Sequence, residues 1–111
     1  MDGRGPRGLP RGNPVLTPIA WGEVQWDTGV PSWRLAGGEF GTLAPAAAGP
    51  GPVTTALVLS RTHDPARLHI QVSAQASGYA FEQTSLRQPN GFIVFTPDAA
   101  TPFSVLVLEE Q

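Results

Sequence analysis

The only two histidines, His63 and His69, lie six residues apart, with Asp64 beside the first. A zinc site needs three or four ligands in tetrahedral array. The chain has no cysteine, and no convincing third ligand stands near this pair. Both therefore read as ordinary surface histidines. Serines and acids are present, but there is no Gly-x-Ser-x-Gly elbow to activate a nucleophile. Glu23, Asp27, Glu39, Glu82 and Asp98 could in principle supply a carboxylate pair, although spacing alone selects none of them. Glu109-Glu110 reads as a solvated pair. Gly37-Gly38 and the glycines of 49–52 lack the following helix that a phosphate loop requires. No catalytic residue, metal or cofactor is assigned, and the expectation is a protein that is not an enzyme.

Two other groups of residues have binding chemistry. Residues 1–14 (MDGRGPRGLPRGNP) carry Arg4, Arg7 and Arg11 against a single acid, Asp2. Pro6, Pro10 and Pro14 fix φ and remove donors, and four glycines resist helix, so this segment reads as an extended arm. Arg4, Arg7, Leu9, Pro10 and Arg11 are its candidate contact residues. Nucleic acid is a poor partner for it. No aromatic residue interleaves for stacking, and residues 15–111 hold four Arg against eight acids. An acidic protein surface fits the arm equally well and needs fewer assumptions. The second group is Trp21, Trp26 and Trp33. These either fill a core or subunit interface, which their large burial favours, or form a sugar-binding platform.

The elements that must carry these residues are strands. The chain has 111 residues, with 41% hydrophobic and only 14% charged, and it holds 13 Gly and 12 Pro. That suits one small domain with many turns and a charge-poor surface that packs against other subunits. Arg67 to Ala74 alternates cleanly, with Leu68, Ile70, Val72 and Ala74 on one face, as in a half-buried antiparallel strand. Further strands are expected over 19–26, 33–36, 39–43, 53–60, 79–82, 92–96 and 103–109. Asp27-Thr28-Gly29, Asp64-Pro65 and Asn90-Gly91 supply turns, and 44–52 reads as a loop. Val105, Leu106, Val107 and Leu108 are apolar on both faces, which calls for a central strand or an oligomer interface. Trp21, Trp26, Trp33, Val105 and Val107 are the candidate interface residues. The expected fold is all-β, a single small antiparallel β-sandwich or barrel over 15–111, preceded by the extended N-terminal arm over 1–14. No stretch approaches the ~18 apolar residues of a membrane span, and the opening segment lacks the apolar region of a secretory leader.

A basic Gly/Pro arm followed by a compact Lys-free β-domain with a strongly apolar last strand resembles the small virion proteins of tailed bacteriophages. In size and plan it resembles the capsid decoration, or cement, proteins. That resemblance implies a homotrimer on the capsid surface, with the arm tying each copy to a larger assembly. The runs VTTALVLS, LHIQVSAQASGYAFE, GFIVFTP and FSVLVLEE are also similar to the β-sandwich tips of phage tail fibres and H-type lectins, which implies receptor or carbohydrate binding as the alternative. The aromatic residue that often marks the last strand of those tips is missing from Val105 to Glu109.

Overall fold

In the computed structural model, residues 15–42, 45–48, 53–75 and 78–111 are described. Eight strands follow in chain order: β1 (Leu16–Asp27), β2 (Val30–Gly38), β3 (Ala46–Ala48), β4 (Val53–Val58), β5 (Leu68–Ala74), β6 (Phe81–Glu82), β7 (Gly91–Thr96) and β8 (Phe103–Glu110). They form two four-stranded sheets, ordered β2-β1-β8-β5 and β3-β4-β7-β6, and every pairing is antiparallel. The fold is an all-β sandwich, as the alternation predicts.

Period-two alternation decides what lies between the sheets. Ala20 and Val24 of β1, Phe103, Val105 and Val107 of β8 and Leu68 of β5 point inward from the first sheet. Leu57 of β4 and Phe92 and Val94 of β7 meet them from the second, joined by Leu59 just past the end of β4. Phe40 closes the core from the turn after β2. Its ring stacks on Trp33 at 4.8 Å and tilts against Phe92 at 6.0 Å. β8 lies between β1 and β5, so the doubly apolar run Val105–Leu108 belongs to a central strand.

The β1–β2 turn follows from its residues. Thr28 and Gly29 both take positive φ, 53° and 81°, as a two-residue hairpin turn of the favoured twist requires. Further on, the structure departs from expectation. The segment expected as a strand over 39–43 begins instead with a 3-10 turn, Glu39–Thr42. Gly38 at φ 60° breaks the extended backbone just before it. The expected loop 44–52 contains the short edge strand β3, paired with β4 through Ala46↔Ala56 and Ala48↔Thr54. Prolines flank this strand without interrupting it, and edge position tolerates them. Among the described residues no helix is long and apolar enough to cross a membrane.

Candidate functional site

His63 is not a surface histidine. It lies in the connection from β4 to β5, and its side chain is 4% exposed. Nδ1 is 2.8 Å from Oε2 of Glu109 on β8. Nε2 is 3.0 Å from both carboxylate oxygens of Glu39, at the start of the turn after β2. Ionised carboxylates only accept, so a carboxylate on each side favours the imidazolium, which donates from both nitrogens. Arg61 adds a second cation on Glu39, through both its backbone N–H and its guanidinium.

Burial alone would drive the His63 pKa down. The hydrogen bonds to Glu39 and Glu109, with the charges of those carboxylates, outweigh it and hold the value above the usual 6.5. Burial likewise pushes Glu39 up, but hydrogen bonds from His63 and Arg61 win and its carboxyl lies below 4.5. The cluster ties the connection between the two sheets to β8 and to the end of β2. Both ring nitrogens are occupied and the ring is enclosed, so the site presents no free base to a substrate. Among the described residues no group of three or more His, Asp or Glu converges as metal ligands would.

A second enclosed pair, Glu82 and Arg87, is bidentate at 2.8 and 2.6 Å. Arg87 also donates to the carbonyls of Pro65 and Leu68, at 3.1 and 2.8 Å. It locks the β6 edge onto the start of β5. Like the His63 cluster, it positions backbone.

The groups left open to partners lie on the outer sheet faces. On the first sheet, Trp21, Leu106 and Gln71 form one cross-strand row, and Glu23, Ser104 and Ser73 the next. Leu35 pairs with Glu23 on the β2 side. Trp21 is 43% exposed and Leu35 51% exposed. The Trp21 indole lies directly over Gly37, where any Cβ would collide with it, so glycine at 37 lets the ring lie down on the sheet. Glu23 pairs with Arg34, and His69 Nε2 bonds Glu110 at 2.7 Å. At the centre of this face Glu23 is therefore matched by Arg34, and Gln71, Ser73 and Ser104 are uncharged. Between them lies a shallow recess of about 350 Å³.

On the second sheet the outer face is aromatic. The Tyr79 and Phe81 rings stack at 5.8 Å, and Phe81 meets Phe95 edge-on at 5.3 Å. Beyond them a recess of about 190 Å³ is lined by Ala56, Val58, Leu86 and Ile93, with no charged residue.

The sequence-based candidates divide accordingly. Trp21 lies on the outer face. Trp26 and Trp33 turn inward and pack on the core, Trp26 also donating from Nε1 to the Thr101 carbonyl at 2.8 Å. Val105 and Val107 are core residues of β8, and the outward side chains of that strand are Leu106 and Leu108. Glu109 and Glu110, expected as a solvated pair, instead bond His63 and His69. Arg4, Arg7, Leu9, Pro10 and Arg11 lie outside the described residues. Leu35, Phe81 and Phe95 were not among the sequence-based candidates, and Leu106 entered only as part of the doubly apolar run Val105–Leu108. Parity could have found Leu106, since it alternates with the inward Val105 and Val107.

Fold and surface together define a class: a small all-β sandwich with an aromatic outer face on one sheet, a mixed apolar and polar face on the other, and enclosed ion pairs. Compared with protein-family models, curated proteins and solved structures, the chain matches none.

Proposed function

We propose that this protein is a non-enzymatic structural assembly module. It packs against copies of itself through the outer face of its first sheet, and residues 1–14 reach a neighbouring subunit. The supporting observation is that face: Trp21, Leu35 and Leu106 around a centre whose charges are already paired. Covering it strands no lone central charge, so association there gains apolar burial without the penalty of an unpaired buried ion. Size supports the same choice. Its four strands of seven to twelve residues give a face about 19 Å by 30 Å, on the order of 600 Å² in projection. Side-chain relief brings the accessible area toward the roughly 800 Å² per partner of a standard interface. The second sheet, with strands of two to six residues, offers roughly half as much.

The finer reading is a capsid decoration or cement protein on a virion surface, forming closed trimers. It follows from the resemblance in plan and from the low charge. Many modest contacts between copies and a shell would sum by multivalency. The test is the mass of the full chain in solution across concentration. Association into a closed oligomer is expected. A particle of 11.7 kDa at every concentration overturns the assembly reading.

One observation favours a second reading, a carbohydrate-binding module. Gln71 and Ser73 make no side-chain hydrogen bond among the described residues, and they line the same recess as the exposed Trp21. An indole platform flanked by free amide and hydroxyl groups is sugar-binding chemistry. Glycan-array binding that Trp21→Ala abolishes would favour it over assembly.

A further inference from the structure

We infer that the aromatic outer face of the second sheet is the receptor for residues 1–14 of a neighbouring copy of this chain. The inference rests on the assembly reading, because the arm comes from another subunit.

The receptor offers three kinds of contact in sequence. Tyr79 and Phe81 are stacked and 47% and 46% exposed, and Phe95 braces Phe81 from β7. Along the same face of β7, Ile93 leads into the uncharged recess beside Leu86 and Val58. At the other end of β7, three residues beyond Phe95, Asp98 is exposed. Its Oδ1 accepts from the Ala100 backbone N–H at 3.0 Å and from the Thr101 hydroxyl at 2.9 Å. It has no cationic partner among the described residues.

The arm supplies the matching groups. Proline-rich extended segments dock on exposed aromatic rings, because their rings stack flat and little conformational freedom remains to be lost. Pro6 and Pro10 suit Tyr79 and Phe81, and Leu9 suits the apolar recess. Arg4, Arg7 and Arg11 can lie over an aromatic face or pair with Asp98. Charge adds to the match. Residues 1–14 hold three Arg against one acid, whereas residues 15–111 hold four Arg against eight acids.

A neighbour is the better source than the chain itself. Val15 and Leu16 are 67% and 40% exposed, and Leu16 opens β1 of the first sheet. Fourteen residues span about 43 Å when extended at ~3.1 Å each. Because β1 belongs to the first sheet, the arm has to pass round an edge of the sandwich to reach the outer face of its own second sheet. A neighbour's face carries no such constraint. The aromatic face is also too small to hold an assembly alone, which suits it to a strap rather than to a whole domain.

Limited trypsin digestion of the full chain tests this, with cleavage after Arg4, Arg7 and Arg11 followed by mass spectrometry. The oligomeric state is measured by sedimentation on the same samples. Cleavage in the assembled protein is expected to be about tenfold slower than in dilute protein, since proteolysis tracks the population of the released arm. Phe81→Ser should restore fast cleavage in protein that still assembles. Tyr79→Ser, outside any strand, gives the same readout if the Phe81 variant does not fold. Equal cleavage rates in assembled wild type and either folded variant overturn the inference and leave the assembly reading standing. Protection that persists in dilute monomer places the arm on its own domain and also overturns it. A chain that never associates and is cleaved freely removes both.

Discussion

Leu106→Arg should dissolve the assembly while leaving the domain folded. Leu106 is at the centre of the first sheet's outer face, between Trp21 and Gln71 on neighbouring strands. In a single copy the side chain is half-buried and faces outward. An arginine there can lay its stem along the sheet and keep its guanidinium in water. Surface substitutions of this kind change stability by within about 0.5 kcal/mol. In the assembly the same guanidinium is covered. The nearest carboxylate row holds Glu23, already engaged by Arg34 through Nε at 2.8 Å. A buried, uncompensated charge costs on the order of 3–5 kcal/mol. At 1.4 kcal/mol per decade, association weakens by two to three and a half orders of magnitude, roughly 10²- to 4 × 10³-fold. Sedimentation equilibrium reads this directly, with circular dichroism as the folding control. An unchanged association constant would mean that copies meet through another surface.

His63→Gln should cost about 1.5–3 kcal/mol of stability, the worth of a lost charged hydrogen bond, and remove a specific pH dependence. A glutamine donates from one end only, so it cannot serve Glu39 and Glu109 together. Glu39 keeps Arg61, but at least one carboxylate loses the charged hydrogen bond that the ring gave it. The folded protein holds the His63 proton more tightly than the unfolded chain, whose value is near 6.5. The contribution of His63 is therefore complete below about pH 6.5 and falls away as pH rises through the folded-state value. Glu39 works in the opposite sense. Held below 4.5, it contributes above that pH, and its share is lost as pH falls through its folded-state value. Wild-type stability should peak between about pH 4.5 and 6.5. The variant should be lower throughout and lack the alkaline decline. Urea midpoints across pH measure both. An alkaline decline of equal size in the variant would show that some other group sets it.

Much of this architecture was legible in the residues. β5 alternates so cleanly that its buried face could be named position by position, and Asp27-Thr28-Gly29 announces its hairpin. Other parts were hidden for physical reasons. Ala46–Ala48 pairs as a strand because β4 offers it an edge, and no local propensity signals that. The turn at Glu39–Thr42 carries Phe40 into the core, so tertiary packing overrides the extended preference of its neighbours. The ion cluster was invisible for a different reason. Glu39 and Glu109 lie 24 and 46 residues from His63, and the three meet only because two connections converge on the end of β8. His63 stood out only as half of a sparse histidine pair, and nothing in the spacing joined it to Glu39 or Glu109. The outer faces were half legible. Trp21 and Trp26 are five apart, so a strand must put them on opposite sides, and only one could face a partner. Parity does not say which side is the outside; the pairing with β8 does.

The most direct test of the central claim is the accessibility of Trp21 as concentration rises. Trp26 and Trp33 pack on the core, while Trp21 is 43% exposed. Acrylamide quenching of tryptophan fluorescence therefore reports chiefly on the first sheet's outer face in dilute protein. If copies assemble through that face, quenching should fall and emission should shift to the blue in step with the rise in mass, and Trp21→Phe should abolish both changes. An oligomer in which Trp21 stays as quenchable as in the monomer would contradict the account.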